Sequence, residues 1–233
     1  MRCAVGLLAG GLLLTASAAL FASESSAYRF PWSPGLDIEL TQDCNDSRYD
    51  GHVGNNGWAW DFATPDAKEF PILVARGGTV THVKMSSSTG CADASCMDYA
   101  NYVVIDHGDG TSAVYLHLAK GSLDPAIRCG EKVVQGQPLA TASSTGFSTG
   151  PHLHFQVNKT RPQRGPACEC GPDGLGCDDD YANWWGFWSS SSHPSLPIRF
   201  DEWASDVCED RTTLLPPSRN QSRSAIARND ARR

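Results

Sequence analysis

The segment Gly146-Phe147-Ser148-Thr149-Gly150-Pro151-His152-Leu153-His154-Phe155-Gln156-Val157 runs from a Gly/Ser/Thr/Pro loop into a strand-like stretch with two histidines one residue apart. Side chains alternate across a strand, so His152 and His154 share one face and Leu153 and Phe155 the other. Two imidazoles on one face after a turn can hold a metal ion or move protons. Two exposed strand histidines would leave the same pattern, so other residues must decide. A catalytic zinc takes three protein ligands from His and Asp/Glu and leaves a fourth position to water. The chain has no His-Glu-x-x-His helix motif. Its candidates are spread out instead: His52 in the loop Gly51–Gly57, Asp61 in Trp58-Ala59-Trp60-Asp61-Phe62, and His117 in Val114-Tyr115-Leu116-His117-Leu118. A carboxylate amid aromatic residues is costly to bury unless its charge is compensated. A metal ion would compensate it, and so would backbone amides. Taken singly, His52 reads as a solvated loop residue and His117 as a structural one. His82 reads as an exposed strand residue, His107 as structural, and His193 as part of a Ser-rich loop.

In order and spacing these residues resemble the lysostaphin-type (LytM-type) zinc metalloendopeptidases. Three blocks carry the resemblance: His52 with Trp58–Ala63, Tyr115-Leu116-His117-Leu118, and Ser144–Phe155. It covers about Gly51 to Val157 and implies His52, Asp61 and His154 as ligands of Zn2+. It implies His117 and His152 as the non-ligand histidines that act on the reacting water. The implied activity is hydrolysis of peptide bonds in bacterial peptidoglycan cross-links or stems by a zinc-activated water. With no glutamate base in the motif, a histidine is the natural proton carrier. The sequence departs from the family pattern in places. The usual first histidine stands four residues before the aspartate, where this chain has Gly57. Gln156 replaces a frequent Glu, Ala140 and Ser143 stand where glycines are common, and Glu69-Phe70-Pro71-Ile72 varies from Gly-Thr-Pro-Val. Whether His52 reaches the metal separates an active enzyme from the rival reading of an inactive wall-binding or hydrolase-activating module. A secreted protease acting on protein substrates is the other rival.

The elements that must position these groups read as strands. Leu36-Asp37-Ile38-Glu39-Leu40 alternates with apolar residues inward. Short strands are expected at Ile72–Ala75, Thr79–Met85, Tyr102–Ile105 and Ser112–Leu118, the last two joined by the Gly108-Asp109-Gly110 turn. Lys132–Val134 and Pro138–Ala140 flank Gly136 as a further pair, and Leu196–Phe200 looks like a last strand returning to the sheet. The expectation is all-β: a single antiparallel β-sandwich or groove domain with long loops and disulfides. Along the chain this gives a signal peptide (1–22), a lead-in segment (23–48), the metallopeptidase core (49–157), a disulfide- and Trp-rich loop with a final strand (158–208) and a disordered basic tail (209–233).

Composition bounds the partners. The chain has 233 residues and a net charge of −7, with no basic groove pattern, which argues against nucleic acid. Arg2, the apolar run Val5–Leu14 and Ala16-Ser17-Ala18 read as a cleavable export signal, with no stable membrane insertion once it is removed. Cys3 goes with the signal. The other eight cysteines form an even set, which in an exported chain reads as disulfides, Cys91 with Cys96 the first choice. The expected protein is a periplasmic or secreted monomer whose partner is the peptide of peptidoglycan. The Trp184–Trp188 cluster reads as a satellite core or an aromatic binding platform.

Overall fold

The computed structural model of the chain describes residues 27–48, 51–159 and 195–202. The expected signal, the Trp184–Trp188 cluster, His193 and the basic tail lie outside these residues. Among the described residues no helix is long and apolar enough to cross a membrane.

The strands are β1 (Glu39–Gln42), β2 (Trp60–Ala63), β3 (Phe70–Leu73), β4 (Gly78–Lys84), β5 (Gly90–Cys91), β6 (Tyr102–Asp106), β7 (Thr111–Leu116), β8 (Lys132–Val133), β9 (Pro138–Ala142), β10 (Gly146–Phe147) and β11 (Leu153–Lys159). Seven form one antiparallel sheet in the order β1-β2-β11-β7-β6-β4-β8. Strands β3 and β9 make a small antiparallel sheet, and β5 and β10 a parallel two-stranded one. Val and Ile runs and aromatic residues favour such half-buried pleated surfaces. The all-β antiparallel domain is as expected, the β5–β10 pair being its parallel exception.

Alternation gives the large sheet two unlike faces. Trp60, Phe62, Tyr115, Leu153, Phe155 and Val157 point into the main core, where Phe200 joins them. Each large side chain fully buried there contributes about 1.5–3 kcal/mol. The opposite face carries Asp61, His154, Gln156 and a small apolar cluster of Ala100, Tyr102, Val104, Val114 and Leu116.

Three expectations change. Lys132–Val133 and Pro138–Ala142 do not pair with each other; β8 joins β4 and β9 joins β3. Period and turn residues identify a strand but not its neighbour. Leu196–Phe200 returns to the sheet only through isolated bridges, Ser195 to Asn158 and Phe200 to Tyr28. His82 is half-buried rather than exposed, because β4 lies inside the sheet between β6 and β8. His107 is structural as read, its Nδ1 lying 2.8 Å from the Gly77 carbonyl oxygen. Cys91 and Cys96 form the expected disulfide, and Cys44 and Cys129 are disulfide-bonded as well.

Candidate metal centre

Strand register builds the centre. On β11, His154 sits directly across from Asp61 of β2 on one side and Leu116 of β7 on the other. Directly opposed residues have Cβ atoms about 4.5–5.5 Å apart, so the pairing brings the imidazole and the carboxylate together. His154 Nδ1 lies 3.0 Å from Asp61 Oδ1.

His52 arrives from the loop between β1 and β2. The loop folds on itself through Asn45 N to Gly57 O (2.7 Å), His52 N to Asp46 O (3.1 Å) and two Gln42 amide bonds to the carbonyls of Asp46 and Arg48. This compaction carries the His52 ring back over β2, nine residues from Asp61 in the chain, and sets its Nε2 3.2 Å from Asp61 Oδ1 and 3.3 Å from His154 Nδ1. His52 is 1% exposed and closes the floor, whereas Asp61, His117 and His154 each keep 8% on the open side.

The outward nitrogens of both rings are hydrogen-bonded away from the cluster. His52 Nδ1 donates to the Asp43 carbonyl at 2.8 Å, and His154 Nε2 donates to Gln156 Oε1 at 2.8 Å. Gln156 is held in turn by donating to Asn158 Oδ1 at 2.7 Å. His52 Nε2, His154 Nδ1 and Asp61 Oδ1 therefore face one another around one point. A proton on either ring would satisfy a single edge of this triangle; a cation at its centre satisfies all three. Ligand atoms about 2.0–2.1 Å from a tetrahedral zinc lie roughly 3.3 Å apart, and the three edges here are 3.0, 3.2 and 3.3 Å. The donor set fits such an ion.

Electrostatics agrees. Burial would raise the Asp61 carboxyl, but His152, His52 and His154 hold it well below the usual carboxylate range. Burial would lower His52, yet Asp61 raises it overall. Both shifts come from the same attraction between the Asp61 carboxylate and the imidazoles around it.

His117 and His152 stand beside the trio, their ring centroids 4.5 Å apart. His152 Nδ1 donates to the Gly150 carbonyl at 2.8 Å, and its Nε2 is 3.6 Å from Asp61 Oδ2. His117 follows Leu116, so plain alternation would turn it into the core beside Tyr115. It escapes through a left-handed backbone, φ 63°, and its Nδ1 donates to the Thr145 carbonyl at 2.6 Å. A non-glycine residue in that region costs about 1–3 kcal/mol, the kind of strain that collects at functional sites. Burial, with His152 and His154 nearby, lowers His117 well below an ordinary imidazole.

The five residues singled out in the sequence thus come together. Their supports are less visible in it: the carbonyls of Asp43, Thr145 and Gly150, and the side chain of Asn158. Only Gln156 carried a signal, through its place two residues after His154 on the same face. Two of the departures from the family pattern also meet, because Ser143 Oγ donates to Glu69 Oε1 at 2.5 Å.

An all-β domain with a two-imidazole, one-carboxylate cluster has a site able to hold a single metal ion. Residues 55–166 match the model of peptidase family M23. It is 37% identical over 105 residues to peptidoglycan DD-endopeptidase ShyB of Vibrio cholerae, covering 45% of this chain and 20% of that protein. It is 37% identical over 79 residues to lysostaphin of Staphylococcus simulans, covering 33% of this chain and 15% of that one. The chain spans about a fifth of the length of the curated relatives it matches. Among solved structures, a zinc-containing peptidase from Vibrio cholerae is 29% identical, covering 57% of this chain and 37% of that chain, with a TM-score of 0.40. His52 precedes the matched segment, and the fold of its loop is what adds it to the site.

Proposed function

We propose that the chain is an exported zinc endopeptidase that hydrolyses peptide bonds in peptidoglycan cross-links or stems. The observation that carries this is the convergence of His52 Nε2, Asp61 Oδ1 and His154 Nδ1 on one point, with two further imidazoles beside them. The relatives' action on peptidoglycan supports the substrate class and a place of action outside the cytoplasm. Zn2+ held there would supply Lewis acidity toward a peptide carbonyl and a lowered pKa for its water. The remaining work falls to the chain. Asp43 and Gln156 fix the tautomers of His52 and His154, so that both rings offer lone pairs inward. His117 and His152 each spend Nδ1–H on a loop carbonyl and keep Nε2 for the reacting groups. One of the two accepts a proton at Nε2, and the pair returns a proton to the leaving amine.

The direct test is digestion of purified sacculi and of a Gly-rich protein side by side, before chelation, after it, and after zinc add-back. Release of muropeptides is expected to vanish on chelation and return with zinc. Digestion that survives chelation, or the His154→Ala change, would sink the proposal. Cleavage of the protein alone would shift the substrate to secreted proteins.

A further inference from the structure

We propose that the disulfide-closed segment Gly90–Asn101 is the positioning element for the two non-ligand histidines, gripping His117 through Thr145 and His152 through Ser148. The inference rests on the function proposed above and adds to it a division of labour. Metal binding does not depend on this segment, whereas proton transfer does.

Three observations carry it. First, β5 pairs in parallel with β10 through Gly90 with Gly146 and Cys91 with Phe147, and Cys91 is tied to Cys96. The contact is too close for side chains. A Cβ on Gly90 would lie 1.7 Å from the Ser144 carbonyl oxygen, and one on Gly146, at φ +84°, would lie 2.5 Å from the Ala100 Cβ. Second, the segment's hydrogen bonds end on the histidine supports. Ser148 N donates to the Cys91 carbonyl at 3.0 Å, and Ser148 Oγ lies 3.3 Å from His152 Nδ1 and 2.8 Å from the Gly150 oxygen that accepts from that ring. Asn101 N donates to Thr145 Oγ1 at 3.0 Å, and both Thr145 Oγ1 and Asn101 Nδ2 donate to the Leu118 carbonyl at 2.9 Å. The Thr145 carbonyl receives His117 Nδ1, so His117 is bracketed by groups that the segment holds. Third, Ala100 packs with Leu116, the residue before His117, in the small apolar cluster on the site face. The metal-ligand candidates take their supports elsewhere, from Asp43, from Gln156 and from the pairing of β2 with β11.

The test compares the full-length, zinc-loaded chain with its Cys91→Ser/Cys96→Ser double variant. Zinc affinity by chelator competition is expected to stay within about twofold, while kcat on sacculus peptides falls about 10- to 100-fold. Nitrogen NMR of the imidazoles is expected to show His117 and His152 losing the pure Nδ1–H tautomer while His52 and His154 keep theirs. Unchanged kcat and tautomers would overturn the proposal, as would zinc affinity falling in step with kcat. If the double variant fails to melt cooperatively, Thr145→Val carries the test with the disulfide intact. It is expected to free His117 and leave His152 fixed; a fixed His117 overturns the proposal. A parent chain with no peptidase activity would remove the proposed function, and the tautomer readout would still decide the role of the segment.

Discussion

The two halves of the site are built by different means. Asp61 and His154 are strand residues, one opposite the other, and their separation is set by backbone register within the main sheet. His117 and His152 lie at or just beyond strand ends, and loop carbonyls orient their rings. Register is stiff, because a one-residue slip would send every side chain of β11 to the wrong face and expose Phe155 and Val157. Loop carbonyls are softer. A centre for an ion gains from stiffness, since its ligand atoms must meet within tenths of an ångström. The two imidazoles proposed to move protons are held without register, by loop carbonyls that the Gly90–Asn101 segment braces. His52 belongs to the first half by position and to the second by construction, since its loop stands in for a strand.

The largest expected effect tests the stiff half. Asp61→Asn, His154→Ala and His52→Ala should each lose bound zinc, measured by elemental analysis, and fall to the no-enzyme background on sacculi. A His52→Ala chain that retains stoichiometric zinc would show the His52 loop to be no part of that half. The next effect concerns the softer half. His117→Gln and His152→Gln should keep zinc while kcat drops about 10²–10⁴-fold. Zinc lost equally from these variants would erase the distinction. Smaller again is Gln156→Leu, which leaves the His154 Nε2–H without its acceptor and should weaken zinc about 10- to 100-fold. Gln156→Glu should bind zinc at least as tightly as the parent, because a carboxylate raises the basicity of the imidazole.

The smallest effect on zinc and turnover comes from a histidine of neither half. Burial lowers His82 from 6.5 to about 4. Between those values the folded chain binds fewer protons than the unfolded chain. The stability present above pH 6.5 is therefore lost as pH falls toward 4, by at most about 1.4 kcal/mol per pH unit. His82→Gln should flatten melting temperature against pH in that window. An unchanged slope would place the acid sensitivity elsewhere.

The stiff half was the more legible in the sequence, and the reason is physical. The His-Leu-His-Phe alternation of β11 and the aspartate between Trp60 and Phe62 announce which face each residue takes, because period 2 is a property of side-chain types. The short Cys91–Cys96 spacing announced its disulfide in the same way. The softer half rests on backbone carbonyls at Thr145 and Gly150, which any residue could supply. The left-handed turn at His117 has no composition of its own. The partners of β8 and β9 and the burial of His82 depend on which strands lie alongside. That is decided by long-range packing, which local patterns do not encode.

The place of β11 in the strand order has a consequence for when the site exists. This strand enters between β2 and β7, and His52 and His154 are 102 residues apart in the chain. A chain leaving the ribosome or an export channel from its N-terminus presents β1 through β10 before β11 is available. Until then β2 and β7 have no shared neighbour, and Asp61 faces no His154. Contacts of such long range form late and slowly, because loop closure must come before any pairing rewards it. The metal-candidate trio is therefore incomplete until β11, the last of the described strands, has been delivered.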